Sequence, residues 1–342
     1  LLKIGKINTF FRKTAKIWGR PYLFMDNFMK AVFLDRATFL DSLTLLAPQG
    51  ISDYRVFAMT NNDTETIISR AKDADIIITN KVRLSRDVLS QLPSLKLIQL
   101  TATGTDNVDK SACDELGIVL KNVAGYSVTA VPEHTFMLML SVMRAGRYYH
   151  ERVADNSWQQ IGKFCLLDVP ILDLAGQTLG IIGKGAIGER VAGIARAFGM
   201  NVLFAERQGQ APRNDSYTAF DEVLQRANVI SLHCPLTPQT HYLINDATIS
   251  QMTRKPILIN VARGAVVDSL AVAKAVQDGR LSGYGSDVFE QEPLSADSPL
   301  LDIINHPRVL FTPHNAWGSV GAQQRLWDIL SEQVSEFIKE NI

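Results

Sequence analysis

The stretch Thr178–Glu206, TLGIIGKGAIGERVAGIARAFGMNVLFAE, decides the fold of this chain. It opens on the apolar run Thr178–Ile182, whose length and glycine boundary indicate a strand buried on both faces. The glycine-rich segment Gly183–Gly188 follows, and Ala186–Phe198 then has the hydrophobic spacing of a helix. A second apolar strand is predicted at Asn201–Ala205. Strand, tight turn, helix and strand in this order predict one βαβ unit of a parallel sheet.

The glycine-rich segment fits the pattern G-x-G-x-x-G. Gly183 permits a tight turn, Gly185 lets the backbone approach a pyrophosphate, and Gly188 lets helix and strand pack closely. The first helical turn adds free N–H groups and partial positive charge. The match is weak alone, but a strand before it and a helix after it make it specific. We therefore predict a dinucleotide site in which Gly183, Gly185, Ala186, Ile187 and Gly188 contact the cofactor.

The acid at the end of the second strand bears on which dinucleotide is bound. Glu206 lies 18 residues past Gly188, where a carboxylate can hydrogen-bond the ribose hydroxyls and repel a 2′-phosphate. Arg207 complicates this prediction, because a neighbouring guanidinium could accept that phosphate. We expect NAD, bound in part by Glu206 and Arg207, with NADP the less favoured cofactor.

Length and composition limit the classes of protein that this chain can be. Its 342 residues favour two domains, and its 46% hydrophobic and 20% charged residues are typical of a globular protein. A formal net charge of zero gives no overall attraction to nucleic acid. The strongest apolar run, Phe136–Met143, is too short to cross a bilayer. We expect no nucleic-acid or membrane partner.

The cysteines and histidines do not form a disulfide or metal pattern. Cys113, Cys165 and Cys234 are far apart and odd in number, with no Cys-x-x-Cys pair, and no His-Glu-x-x-His motif occurs. This argues against a disulfide framework and a zinc site, and it fits a reducing compartment. We expect a cytoplasmic protein without a metal.

The first 28 residues differ in composition from the rest. Six basic residues are opposed there by the single acid Asp26. A targeting peptide is one interpretation, since such segments are basic and poor in acids, but serine is absent and no small-residue cleavage site is visible. We instead expect residues 1–28 to be a basic extension outside the fold, with the folded protein starting near Met29.

Strand-like runs alternate with helical stretches on either side of one long predicted helix, Pro132–Tyr149. An irregular connection is predicted over Ala154–Asp173, and an amphipathic last helix, Gln323–Lys339, is expected to dock on the first domain. This alternation predicts an α/β fold of two doubly wound parallel-sheet domains. Besides the two strands given above, strands are predicted at Ala31–Leu34, Arg55–Ala58, Asp75–Thr79, Lys96–Leu100, Val119–Asn122, Asn228–Leu232, Pro256–Asn260, Leu281–Asp287 and Val309–Thr312.

A nicotinamide dinucleotide implies hydride exchange with a carbonyl, which needs an acid–base group and a cation for the negative end of the substrate. His314 and Arg263 each follow a predicted strand, and ligands bind beyond the carboxyl ends of strands in open α/β sheets. Histidine is the natural acid–base group, and a guanidinium can hold a carboxylate through two hydrogen bonds. Taken alone, each residue also fits a structural or surface role.

Spacing does not decide which acid would partner the histidine. Asp287, Glu290 and Glu292 all lie at or just after the end of one predicted strand, and each also fits a solvated surface acid. Of the other histidines, we expect His233 in structural or cofactor-edge packing. We expect no chemical role for His134, which falls early in a helix.

From Met29 onward the chain resembles the D-isomer-specific 2-hydroxyacid dehydrogenase family. The resemblance implies a Rossmann cofactor domain inserted into a flavodoxin-like substrate domain, with the active-site cleft between them. Together the motifs are highly specific. In the family's order they are Gly104–Asp109, the glycine-rich segment, His233–Thr237, Asn260–Asp268, Asp287–Pro293 and Thr312–His314.

The resemblance implies a role for each candidate at the substrate. His314 would donate the proton, and Glu292 would keep that histidine protonated. Arg263 and the backbone N–H groups of Thr103 and Gly104 would hold the carboxylate and polarise the carbonyl. At the cofactor, Asp287 would bind the carboxamide of the nicotinamide. The cofactor contacts implied by the remaining motifs are His233, Pro235 and Val261.

The resemblance also implies a domain division and an assembly. The substrate domain would be discontinuous, residues 29–126 with residues 314–342, around a cofactor domain at residues 127–313. Members are usually homodimers built through the cofactor domain, here with an arm at about residues 147–164. Trp158 would anchor that arm, although a core position fits this residue equally well.

The run His314–Gly318 most resembles the glycerate dehydrogenase (hydroxypyruvate reductase) branch. Trp317 would wall the pocket, so we expect NAD-dependent reduction of a small 2-keto acid, hydroxypyruvate or glyoxylate, to the D-2-hydroxy acid, and the reverse. One alternative is a phosphoglycerate-dehydrogenase-type enzyme, in which Lys81 and Arg83 could meet a phosphate. The other is a non-catalytic NAD-sensing binding protein like the family's co-repressor branch.

Overall fold

The computed structural model describes residues 29–341. The basic extension expected over residues 1–28 lies outside the described residues. Within them the chain forms two wholly parallel β-sheets, and each sheet separates two hydrophobic cores made with the surrounding helices. The predicted α/β fold with two doubly wound parallel sheets is therefore confirmed. No helix in residues 29–341 is both long and apolar enough to cross a membrane.

The first sheet has five strands in the order β2-β1-β3-β4-β5. Alternate side chains of its central strand enter different cores, Ile77 on one face and Ile76 and Ile78 on the other. Burial on both faces explains why this strand is a continuous apolar run. The strands are β1 (Met29–Phe33), β2 (Ile51–Val56), β3 (Ile76–Thr79), β4 (Leu97–Leu100) and β5 (Val119–Lys121).

The second sheet has six strands in the order β11-β10-β9-β8-β6-β7. The chain runs outward from β6 to β7 in one direction and then from β8 to β11 in the other. Ligands bind in the crevice that opens at such a reversal of strand order, which here lies between β6 and β8. The strands are β6 (Thr178–Ile182), β7 (Asn201–Ala205), β8 (Val229–Leu232), β9 (Ile257–Asn260), β10 (Gly283–Ser286) and β11 (Val309–Phe311).

Eleven α-helices occur in residues 29–341, several of them started by a side chain that caps the first turn. Asp63, Asp109, Asp268 and Ser319 each accept a hydrogen bond from a backbone N–H there. The helices are α1 (Thr64–Ala71), α2 (Arg86–Leu89), α3 (Lys110–Leu116), α4 (Ala130–Met143), α5 (Gly146–Ala154), α6 (Ser157–Ile161), α7 (Ala186–Ala197), α8 (Phe220–Arg226), α9 (Asp246–Ile249), α10 (Ser269–Gln277) and α11 (Val320–Glu340).

The prediction of one long helix over Pro132–Tyr149 is wrong. Two helices, α4 and α5, meet at Ala145, which is fully buried and has a left-handed backbone with φ of 50°. One residue in this conformation interrupts the helical hydrogen-bond ladder, and hydrophobic spacing does not reveal a single dihedral angle. The connection predicted to be irregular over Ala154–Asp173 likewise contains the short helix α6.

Two helices carry the chain between the sheets. Helix α4 follows the first sheet but packs against α7 and strands β9 and β10 of the second. Helix α11 follows the second sheet but packs in a core of the first. There Trp327 stacks on Phe33 with ring centroids 5.6 Å apart and donates from Nε1 to the Leu46 carbonyl at 3.0 Å. The two crossings bring the carboxyl ends of the sheets to one cleft.

Candidate active site

A cleft of about 670 Å³ is lined by the loops that follow strands of both sheets. Loops after β3, β4 and β5 form one wall, and loops after β8, β9, β10 and β11 form the other. The predicted catalytic and substrate residues that line it are Thr103, Gly104, Arg263, Glu292, His314 and Trp317. The predicted cofactor residues in the lining are Ile187, His233, Pro235, Val261 and Asp287, whereas Gly183, Gly185, Ala186, Gly188, Glu206 and Arg207 lie outside it.

His314 and Glu292 form a hydrogen-bonded pair in this cleft. Nδ1 of His314 lies 2.6 Å from Oε2 of Glu292, and Oε1 of Glu292 accepts a hydrogen bond from the Phe289 N–H at 3.0 Å. Burial raises the pKa of Glu292, but the hydrogen bonds and charge of His314 and the Phe289 N–H outweigh it, so the net pKa is lowered. The carboxylate of Glu292 therefore stays ionised at a lower pH than an ordinary glutamate. His314 Nε2 remains available to the cleft.

The backbone of His314 is held in an uncommon conformation. Its φ is 51°, a left-handed value that costs energy for a residue other than glycine. Its N–H donates to the Asp287 carbonyl at 2.8 Å and the Thr312 carbonyl at 3.0 Å, and its carbonyl accepts from Trp317 Nε1 at 3.1 Å. These bonds aim the imidazole at Glu292.

The carboxylate of Asp287 anchors the same turn. Its side chain is 1% exposed and accepts the Thr312 hydroxyl at 2.6 Å and the N–H groups of Asn315 and Ala316 at 3.0 and 2.9 Å. His134 completes this network, with Nε2 2.9 Å from the Thr312 hydroxyl. Sequence reasoning missed the place of His134, because only folding brings α4 beside β11. The predicted contact of Asp287 with the nicotinamide stays a prediction.

Arg263 reaches across the cleft to the loop after β4. Nη1 donates to the Ala262 carbonyl at 2.8 Å, and Nε lies 3.8 Å from an Asp106 carboxylate oxygen. A Cβ at Gly104 would lie 2.6 Å from Arg263 Nη2, so a side chain there would displace the guanidinium from its present position. A Cβ at Gly264 would lie 1.8 Å from the Phe289 carbonyl carbon, so a second glycine lets the Arg263 segment pack against the loop that bears Glu292.

The glycine-rich segment has the close approaches that its pattern predicts. Gly183 has φ of 108°, and a Cβ there would lie 2.6 Å from the His233 carbonyl carbon. A Cβ at Gly188 would lie 2.2 Å from the Gly183 carbonyl oxygen, whereas one at Gly185 would meet no atom within 4 Å. The open space at Gly185 faces the start of the twelve-residue helix α7. These residues fit a dinucleotide pyrophosphate.

His233 lies at the switch point beside the glycine-rich segment. Its Nε2 is 2.9 Å from the Ser231 hydroxyl, and its Nδ1 is buried without a hydrogen-bond partner among the described residues. Burial lowers its pKa to about 3, so this ring is neutral near pH 7. A neutral, half-partnered ring fits the cofactor edge better than proton transfer.

Glu206 has a partner that the sequence did not reveal. Its side chain is 1% exposed, because Arg213 covers it with two side-chain hydrogen bonds, one of them from Nε at 2.7 Å. The Arg207 N–H also donates to it at 2.8 Å. The Arg213 bonds, and then the Arg207 N–H, lower the pKa of Glu206 to about 2. The guanidinium of Arg213 also lies over the Tyr217 ring, 4.5 Å from its centroid.

Comparisons with known proteins agree with this geometry. The sequence profile described as D-isomer specific 2-hydroxyacid dehydrogenase, NAD binding domain, matches residues 136–316. A glycerate dehydrogenase of Methylorubrum extorquens is 41% identical, over 90% of this chain and 96% of the relative. A hydroxypyruvate reductase of Blautia hydrogenotrophica is 34% identical, over 81% of this chain and 86% of the relative.

A solved structure extends the likeness to three dimensions. The D-lactate dehydrogenase of Aquifex aeolicus, crystallised with NAD and lactic acid, matches with a TM-score of 0.73 and 30% identity, over 91% of this chain and 96% of that one. The resemblance inferred from the sequence motifs is confirmed, as is NAD as the cofactor. This chain belongs to the D-isomer specific 2-hydroxyacid dehydrogenase family and is an NAD-dependent oxidoreductase.

Proposed function

We propose that this enzyme reduces a small 2-keto acid, hydroxypyruvate or glyoxylate, to the D-2-hydroxy acid with NADH, and catalyses the reverse. The observation that carries the proposal is the His314–Glu292 pair, 2.6 Å apart, in one cleft with Arg263. An acid–base group and a fixed cation are what a carboxylate-bearing carbonyl substrate needs. The names of the Methylorubrum and Blautia relatives support this substrate class.

Each residue of the cleft has a distinct task in this proposal. The guanidinium of Arg263 and the N–H groups of Thr103 and Gly104 hold the carboxylate and draw electron density toward the carbonyl oxygen. His314 Nε2 donates a proton to that oxygen during reduction and removes it during oxidation. Glu292 stabilises the protonated imidazole. When bound, the nicotinamide supplies or accepts the hydride.

Trp317 limits the size of the substrate in this proposal. Its ring packs edge-on against Phe39 and Tyr126, with centroids 6.2 Å apart in each case. Its indole N–H donates a hydrogen bond to the His314 carbonyl at 3.1 Å. A side chain held on three sides forms a fixed wall rather than an adaptable one. We therefore favour two- and three-carbon 2-keto acids over branched ones.

The first prediction tests the function. Purified protein should oxidise NADH with hydroxypyruvate and glyoxylate, followed by absorbance of the reduced nicotinamide. His314→Ala should lower turnover by about 10²- to 10⁴-fold, the usual contribution of a general acid, while NADH affinity measured by fluorescence stays near wild type. NADH binding without turnover across a panel of 2-keto acids would favour the NAD-sensing alternative, and His314→Ala with normal turnover would refute the assigned acid.

The second prediction concerns the contact between Glu292 and His314. Glu292→Gln replaces the charged partner of the imidazole by a neutral one, so kcat/KM for reduction should fall by about 10- to 100-fold, the usual effect of losing a hydrogen bond to a charged group. The measurement is kcat/KM for both proteins at one fixed pH. Glu290→Gln is the matched control, because Glu290 accepts from the Ser269 N–H at 3.0 Å and the Tyr242 hydroxyl at 2.6 Å instead. An unchanged kcat/KM in Glu292→Gln would be inconsistent with the pair.

The third prediction concerns the choice between NADH and NADPH. We propose that Glu206 disfavours a 2′-phosphate and that Arg213 offsets part of this effect by pairing with it. Glu206→Gln should then raise the kcat/KM ratio of NADPH to NADH, since it removes the charge and frees a guanidinium. Arg213→Gln should lower the same ratio, because it leaves the carboxylate without its partner. Changes in the same direction, or no change in either, would show that this pair lies away from the ribose.

The fourth prediction concerns assembly. We propose a homodimer through the cofactor domain, supported by exposed apolar side chains between α5 and β6, among them Phe164 at 96% and Leu167 at 69%. The double change Phe164→Asp and Leu167→Asp should give monomers in light scattering after size-exclusion chromatography. Leu46→Asp, which alters a side chain 72% exposed on the other domain, should not. A wild-type monomer would refute the proposal.

We propose the division between a substrate domain, residues 29–126 with 314–342, and a cofactor domain, residues 127–313, on the grounds of the two crossing helices. Limited proteolysis should cut first near those boundaries, and early cuts inside either sheet would contradict this division.

A cytoplasmic location is proposed because Cys113, Cys165 and Cys234 are all free thiols. Fractionation of the source cells would test this location, and recovery outside the cytoplasm would contradict it.

A further inference from the structure

Lys81 occupies a rigid loop on the wall of the cleft opposite His314. The loop follows β3, and both Asn80 and Lys81 line the cleft. Asp35 accepts hydrogen bonds from the N–H groups of Asn80 at 2.9 Å and Lys81 at 2.7 Å. Asn107 Nδ2 donates to the Val82 carbonyl at 2.9 Å from the other side. The main chain that carries Lys81 is therefore fixed before any ligand arrives.

The ammonium group of Lys81 is left without a partner of its own. Within residues 29–341 its Nζ makes no hydrogen bond and has no carboxylate within 4.0 Å. Desolvation by the cleft walls lowers the pKa of Lys81, although the residue as a whole is exposed. The charge of Glu292 partly opposes this shift, and the charge of Arg263 adds to it. Lys81 thus lies in the electrostatic field of the proposed catalytic groups. Arg263, by contrast, already contacts the Ala262 carbonyl and Asp106.

The substrate's shared features do not require this second cation. Every 2-keto acid carries one carboxylate and one adjacent carbonyl, and in the proposed function Arg263, two backbone N–H groups and His314 serve both. A further cation beside these groups is matched by a further oxygen on the substrate. In a three-carbon 2-keto acid that oxygen is on C3. Glyoxylate has no C3, and pyruvate has a methyl group there.

We propose that Lys81 binds the C3 hydroxyl of the substrate and so makes the enzyme selective for 3-hydroxy-2-keto acids over glyoxylate and pyruvate. This inference rests on the proposed function. It assigns Lys81 as a specificity-determining residue carried by a loop whose main chain is held by Asp35 and Asn107. A hydrogen bond from a charged donor is stronger than one between neutral groups, so the preference should be large enough to measure.

The experiment compares Lys81→Met with wild type on hydroxypyruvate, pyruvate and glyoxylate, with NADH saturating, and tests both proteins on 3-phosphohydroxypyruvate as well. Methionine keeps an unbranched apolar stem like that of lysine and removes the charged amine. The ratio of kcat/KM for hydroxypyruvate to that for glyoxylate should fall by about 10- to 100-fold, the usual effect of losing a charged hydrogen bond. Lys81→Arg should recover part of the ratio. Arg83→Met is the matched control, because this cation is in the same loop but outside the cleft lining, and it should keep the wild-type ratio.

The outcomes separate the two proposals. If wild type reduces these acids but Lys81→Met leaves the ratio unchanged, or lowers kcat/KM equally for all three, Lys81 does not bind the C3 hydroxyl. This inference is then wrong while the proposed function stands. If wild type reduces none of the three, the proposed function itself fails, and this inference with it. If wild type prefers 3-phosphohydroxypyruvate and Lys81→Met removes that preference, the group bound is a phosphate and the hydroxyl assignment is wrong. Thermal unfolding and NADH binding of each variant show that the fold is kept.

Discussion

The buried carboxylate of Asp287 is the interaction on which the arrangement of the cleft depends. It lies at the end of β10 and accepts hydrogen bonds from Thr312, Asn315 and Ala316 in the turn after β11. The turn must place His314 at φ of 51°, a conformation that persists only when its surroundings over-determine it. A buried anion is tolerated because each oxygen has a donor. The result is an imidazole held 2.6 Å from Glu292.

The opposite wall uses the same device. Asp35, 6% exposed, accepts the N–H groups of Asn80 and Lys81. Burial raises the pKa of Asp35 despite these donors, because removing the carboxyl group from water disfavours its charged form more than the hydrogen bonds favour it. In both walls a buried acid fixes the main chain of a loop, and the loop then presents a basic side chain to the cleft. Glu206 differs, because a guanidinium covers it instead of loop N–H groups alone.

The shape of the cleft depends equally on two glycines, which have no side chain. Arg263 passes the place where a Cβ at Gly104 would lie, 2.6 Å from Nη2, and the segment after it packs where a Cβ at Gly264 would overlap Phe289. These two glycines belong to loops of different sheets. The missing side chain at Gly104 leaves room for the guanidinium, and the one missing at Gly264 lets the segment after Arg263 pack on the Phe289 backbone.

The sequence by itself determined the elements that depend on neighbours along the chain. The strand β6, the glycine turn and helix α7 were predicted from Thr178–Phe198. The hydrophobic periodicity and the turn residues that define them all lie within about twenty consecutive residues. The local sequence pattern left the partners open, the family resemblance pointed to Glu292 for His314, and the tertiary structure decided which side chains meet. It placed Glu292 at His314 and Glu290 at Tyr242, it closed Arg213 over Glu206, and it broke one predicted helix at Ala145. These outcomes depend on distances between segments far apart in sequence and on single dihedral angles, and neither leaves a periodic trace in the amino acids.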